Sequence, residues 1–295
     1  MAKEGAVGKV RKFLWGPPLW GTFMLVISLI FTILVSFREK VFVEENQISV
    51  PQVSLEFPIA YFFGAVVVIG VVLFLVPVSK LKYVFQVLFS GLFGWGVFII
   101  VALLLPVPAA VALAVIAALS WLFQPRLWLH NLLLLVTLMS VGVVFGFILS
   151  PWTAVILMLV IAVYDALAVR FGYMMWMAKR MSALDTLPAF LIPASGTFWN
   201  FNLKGSAKEV FSDAPEREFS LLGGGDIGFP LVLAVSVFFA YGLGGAIIVA
   251  VFSMLGLLGA YGIQATILKG KPTPALPPIA VLSLIGFLIT AYAVY

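Results

Sequence analysis

Polar residues punctuate this chain at long intervals, and the stretches between them are almost wholly apolar. Runs near 17–37, 57–77, 83–105, 108–124, 127–149, 152–177, 219–241, 245–268 and 275–295 predict nine helices. Each is about 20 residues, the length that crosses the hydrocarbon of a bilayer. The runs are continuous and do not alternate with a period of two, which excludes a β-barrel. Their dividers are Pro106 and Pro108, Gln124-Pro125-Arg126, Ser150-Pro151 and the Gly242 to Gly245 segment, all ordinary helix punctuation. The first run follows a basic segment, but it is too long for a secretory signal and no small-residue cleavage site follows it. The expected fold class is an all-α integral membrane protein. Two stretches fall outside the membrane: residues 38–56, whose alternation around Ile48 to Leu55 predicts a short hairpin or interfacial strand, and the mixed-charge loop 178–218.

Composition narrows the chemistry. The 295 residues are 63% hydrophobic and 10% charged, far too few charges to cover a water-soluble surface. There is no cysteine, so disulfides, thiolate nucleophiles and thiolate metal sites are excluded. The one histidine, His130, cannot form an HExxH zinc site, and no serine stands in a GxSxG setting. No metal or organic cofactor is called for, and His130 and Arg170 read as structural. Carboxylate chemistry remains.

The net charge of +5 is a topology signal here and does not point to nucleic acid, because the basic residues sit at the ends of the apolar runs. One side collects Lys3, Lys9, Arg11, Lys12, Lys80, Lys82, Arg126, Lys179, Arg180, Lys204, Lys208, Arg217, Lys269 and Lys271. The other holds Arg38 and Lys40, with Arg170 inside the sixth run. Nine crossings with this asymmetry place the N-terminus in the cytoplasm and the C-terminus outside, in a cell membrane if the source is a prokaryote.

Of 12 acidic residues, only Asp165 and Asp226 fall within the spans. An aspartate at the centre of a membrane helix costs about 2.5 to 3.5 kcal/mol on insertion scales, so each is a functional candidate. Asp165 lies five residues before Arg170, about 7.5 Å of helix rise, and Asp226 lies seven residues after Phe219, about 10 Å. Consecutive helices are usually neighbours, so the two carboxyls are expected to face each other at matching depth. Gly223, Gly224, Gly225 and Gly228 surround Asp226 and allow close backbone approach. Prolines 272, 274, 277 and 278 at the start of the last span force an extended backbone.

Tyr164-Asp165, Gly223-Gly224-Gly225-Asp226 and Pro274-Ala275-Leu276 resemble the YD, GxGD and PAL motifs of presenilins and signal peptide peptidases. Motif order, spacing and helix count agree, specifically over about 150–295 and by topology before that. The resemblance implies a presenilin-like fold and an intramembrane aspartyl protease, with Asp165 and Asp226 as the catalytic pair. Tyr164, Gly223, Gly225, Pro274, Ala275 and Leu276 would then support the site and the substrate. It also implies residues 1–150 as scaffold and 151–295 as the motif-bearing part, and transmembrane helical peptides or proteins as substrates. The compact inter-aspartate loop points to a microbial, archaeal relative. Membrane lipid is the expected surrounding, and self-association is left open.

Hydrolysis by two carboxyls needs one ionised to activate water and one protonated to polarise the carbonyl. The pair is therefore expected to titrate as a unit. A substrate helix must unwind to expose its bond, and the freed backbone groups need partners in lipid. The Pro274 to Pro278 segment and the start of the cytoplasmic loop are the expected edges for strand addition. Two rivals carry less weight. A prepilin-type peptidase also has GxGD, but a lysine usually follows its aspartate where this chain has Ile227. A proton-coupled transporter or cation leak channel could use the same aspartates as relay sites, yet no inverted repeat is visible.

Overall fold

The computed structural model of the chain describes residues 2–48, 56–193, 196–205, 219–268 and 273–294. Ten helices form in order: α1 (Ala2–Glu45), α2 (Glu56–Leu75), α3 (Val78–Ala102), α4 (Val107–Phe123), α5 (Leu127–Ile148), α6 (Pro151–Arg170), α7 (Tyr173–Ala183), then α8 and α9, the two halves of Gly224–Thr266, and α10 (Leu276–Ile289). Among the described residues six helical stretches are long and apolar enough to cross a bilayer, one of them Gly224–Thr266 with its two halves, and Val107–Phe123 and Leu276–Tyr292 are shorter apolar helices, so each of the nine predicted runs has its helix.

Proline and glycine set the boundaries as expected. Pro77, Pro106 and Pro151 stand at the starts of α3, α4 and α6, where a missing N–H costs no helical bond. Ser150 caps α6 by accepting from the Thr153 N–H at 3.1 Å. The Gly224–Thr266 run breaks at Gly242, whose φ of 76° and ψ of −173° only glycine adopts readily, and this makes α8 of 224–241 and α9 of 243–266.

Four boundaries differ from expectation. The first helix continues to Glu45, so the outer loop is shorter than 38–56; residues 49–55, where the short hairpin was expected, lie outside the described residues. The sixth span stops at Arg170 and not at 177, because Gly172 turns left-handed (φ 74°) and α7 leaves in a new direction. The loop 178–218 is not structureless: it holds the end of α7, strand β1 (Ala189–Pro193) and a 3-10 turn (Gly196–Asn200), while 206–218 lie outside the described residues. Finally, the seventh run does not begin as a helix. Phe219–Gly223 is strand β2, antiparallel to β1 from Ala189↔Gly223 to Pro193↔Phe219.

Small residues let the helices close on one another, which in lipid replaces the hydrophobic drive. A Cβ on Gly146 would meet Val235 at 2.5 Å and one on Gly142 would meet Leu231 at 2.8 Å, so α5 lies against α8. Gly96 backs onto Thr137, fixing α3 to α5, and Gly256 backs onto Ile279, fixing α9 to α10. Ser253 and Ser283 share a buried hydrogen bond of 2.7 Å across that second contact. Every residue from Pro230 to Phe238 in α8 is buried, which makes α8 the axis of the bundle. In α2, by contrast, Leu73 alone is buried.

At one end of the bundle Leu73, Leu81, Leu127, Met181, Leu184, Leu187, Leu191 and Phe219 form a small core that seats the β1–β2 sheet. The first turn of α5 covers the far edge of that sheet. Asn131 donates to the Leu191 carbonyl at 2.8 Å and accepts from the Leu191 N–H at 3.1 Å, standing in for a missing strand. His130 Nε2 reaches the Ala189 carbonyl at 3.2 Å.

Candidate active site

Asp226 falls in the first turn of α8, immediately after β2, and is 8% exposed. Its place follows from the glycines before it. The Gly224 N–H donates to the Pro188 carbonyl at 3.0 Å, and a Cβ on Gly224 would lie 3.0 Å from that same oxygen. A Cβ on Gly223 would lie 3.0 Å from Asp226 Oδ2, and the Gly223 N–H is turned to the Asp226 carboxyl. Side chains at 223 and 224 would therefore push the sheet or the aspartate away. Gly225 is less constrained, since its Cβ would meet only the Phe229 ring at 3.3 Å. Gly228 packs on Leu138 of α5.

Asp165 projects from α6 and is half-buried; its Oδ2 is enclosed without a hydrogen-bond partner. The helices α6 and α8 are neighbours through Met158, Ile161, Ala162, Val232 and Leu233, which belong to one buried cluster. Asp165 is near enough for its charge to act on Asp226. Their proximity agrees with expectation, but the depth argument behind it needs correction. Residues 219–223 are extended, so Asp226 sits at the start of its helix and not two turns into it.

The Pro-Ala-Leu segment enters α10 beside Asp165. Pro274 and Ala275 are half-buried and lie before the helix, and Leu276 opens it with its side chain buried among Met158, Ile161 and Val232. The Leu276 N–H is turned to the Asp165 carboxyl. A helix normally presents several free N–H groups at its start, but Pro277 and Pro278 remove the next two. Of the donors left there, that of Leu276 is the one beside the aspartate. Pro272 lies outside the described residues.

Tyr164, next to Asp165 in α6, turns its ring toward α2. Its ring packs edge-on against Phe62 and Phe63 of α2, at centroid distances of 5.8 and 5.9 Å, so it holds α6 to α2. Two contributors carried no sequence signal. Tyr261 of α9 reaches toward Asp226 from the side of α1, where its hydroxyl abuts Gly21. Asn131 read as one polar residue in an apolar span, and only the fold brings it to the sheet.

Among the described residues the sheet leaves one edge open. Leu191 turns its backbone groups to Asn131, so by antiparallel alternation Phe190 and Ile192 make the bonds to Leu222 and Ser220. Leu221 then points its N–H and C=O away from β1, and it is 38% exposed. Two carboxyls on packed helices, with a strand edge that has no partner among the described residues leading into one of them, offer the groups to hold a shared proton and a water beside an extended peptide.

A family model described as signal-peptide peptidase, presenilin aspartyl protease matches residues 63–295. No curated protein sequence matches the chain. Among solved structures, a presenilin family intramembrane aspartate protease in a C222 crystal form superposes with a TM-score of 0.63 at 22% identity, covering 95% of this chain and 100% of that one. The same kind of protease in a P2 crystal form gives 0.59 at 22% identity, with 95% and 99% covered.

Proposed function

Since the chain belongs to the signal-peptide peptidase and presenilin family of aspartyl proteases, an integral membrane family of intramembrane proteases, we propose that it hydrolyses peptide bonds inside the transmembrane segments of other membrane proteins, with Asp165 and Asp226 as the catalytic pair and water as the nucleophile. The observation that carries this reading is the placement of two intramembrane carboxyls on the packed helices α6 and α8, one of them with an unpaired buried oxygen.

In the working state one carboxyl is ionised and takes a proton from the water, while the other is protonated and donates to the scissile carbonyl. The roles belong to the pair, because interacting groups titrate together. Leu276 orients the Asp165 carboxyl through its N–H, and Gly223 does the same for Asp226. The substrate helix unwinds and its freed backbone pairs with the outer edge of β2, where Leu221 offers a donor and an acceptor. This moves the pairing edge from the Pro274 to Pro278 segment, where prolines leave little to pair with, to β2.

The N-terminus is taken as cytoplasmic, with substrates running N-terminus outward, and residues 1–150 as scaffold for the motifs of 151–295. That scaffold reaches the site through Leu138 and Asn131.

The direct test is a cleavage assay with purified protein and a membrane-spanning peptide. Product that is blocked by a transition-state analogue of aspartyl proteases is expected, whereas ion flux without product would overturn the reading. A second expectation concerns Leu276. Leu276→Pro removes the N–H turned to Asp165, yet proline is well tolerated at the first helical position. A hydrogen bond to a charged group is worth about 1.5 to 3 kcal/mol, so turnover should fall by about tenfold or somewhat more. Unchanged turnover in a variant of normal helicity would remove Leu276 from the account.

A further inference from the structure

Asp185 stands where a glycine would be easier. It follows the end of α7, and its backbone φ is 58°, in the left-handed region that glycine enters freely. The turn itself is a backbone affair, with the Asp185 N–H bonded to Ser182 at 2.9 Å and the Thr186 N–H to Met181 at 3.1 Å. Nothing in it needs a carboxylate. The side chain is nonetheless 2% exposed and has three partners from two other parts of the chain: Lys82 Nζ of α3 at 2.7 Å, Gln86 Nε2 one turn further along α3 at 3.2 Å, and the Gly205 N–H, after the 3-10 turn, at 2.8 Å. A strained, buried charge with that many partners marks a constraint the site requires.

Its place in the fold says what is constrained. Three residues separate Asp185 from β1, and the last of them, Pro188, accepts the Gly224 N–H beside Asp226. Ala189 then pairs with Gly223. The clamp on α3 therefore fixes the base of the sheet whose far strand carries the open Leu221 edge. We propose that Asp185, held by Lys82 and Gln86, is a positioning residue that sets the β2 edge for substrate pairing. The proposal rests on the function put forward above. Leu184 and Leu187, both buried with Leu81 of α3, hold the region folded without the carboxylate, so the clamp controls alignment more than stability.

The test is Asp185→Gly in the full-length protein, with amide hydrogen exchange read alongside steady-state cleavage of a membrane-spanning peptide. Glycine relieves the left-handed backbone, so the thermal midpoint should hold while exchange at Phe190, Ile192, Ser220 and Leu222 quickens about tenfold. The KM should rise about fivefold or more with kcat within about twofold, the pattern of lost substrate binding. Lys82→Gln should act in the same direction and Lys82→Arg should restore the wild-type KM. Unchanged exchange, or quickened exchange with an unchanged KM, would overturn the proposal. Equal losses in both constants with a lowered midpoint would reduce Asp185 to a structural residue and overturn it too. If the wild-type protein cleaved nothing, the proteolytic reading would fail, while the exchange data would still decide whether the clamp exists.

Discussion

Asp165→Asn and Asp226→Asn, made separately, should each reduce cleavage of a membrane-spanning peptide by roughly 10³-fold, within the 10²- to 10⁴-fold range of acid-base catalysis. Asparagine keeps the shape of the side chain, and its amide oxygen can still accept from Leu276 at 165 or from Gly223 at 226. What it loses is the ability to take or give a proton. In the proposed mechanism the two carboxyls work on one proton, so the double variant should be little worse than either single one, as for residues that act as a unit. Folding should not suffer, since replacing a buried ionisable group by a neutral isostere removes a desolvation cost. A single variant that kept a tenth of the wild-type rate would end the two-aspartate account. So would single losses that multiply in the double variant. Unaltered melting of the purified variants is the control that assigns the loss to chemistry.

Leu221→Pro is the second large effect expected, a loss of about 10²-fold in kcat/KM toward helical membrane substrates. Proline removes the N–H that Leu221 turns away from β1, and its ring stands where an added strand would lie. Prolines are accepted on the outward side of an edge strand because no ladder bond is lost there, so the sheet with β1 should persist. The substrate carbonyl left without a donor costs about 1 to 3 kcal/mol in a dry site, and the crowding adds to it. Leu221→Val keeps the N–H and should stay within about twofold of wild type. Binding of a small transition-state analogue, which fills the space between the aspartates without needing the edge, should be spared. A Leu221→Pro enzyme that cleaved at the normal rate would show that substrates do not pair with β2.

The helices were legible because lipid leaves a chain few options. A run of about 20 apolar residues must satisfy its backbone internally, so hydropathy and proline punctuation located nine helices without any tertiary information. The aspartates were legible for the same reason: a carboxyl that costs several kcal/mol to place among apolar residues stands out. The errors came where that logic stops. Phe219 to Leu222 is as apolar as the helix after it, and a short apolar run does not distinguish strand from helix. The helix break at 172 depends on a single left-handed glycine in an otherwise helical pattern.

From composition and order alone come the membrane class, the nine apolar helices and the two carboxyls within them. Tertiary structure decided that Asp226 begins its helix at the end of a strand, that Asn131 closes one sheet edge, that the Leu276 N–H is turned to Asp165, and that Tyr164 of α6 packs against α2. The division has one physical cause. Solvent acts on each residue by itself, and so burial and its cost are written locally, whereas hydrogen-bond partners brought from 60 or 99 positions away exist only once the helices have closed around them.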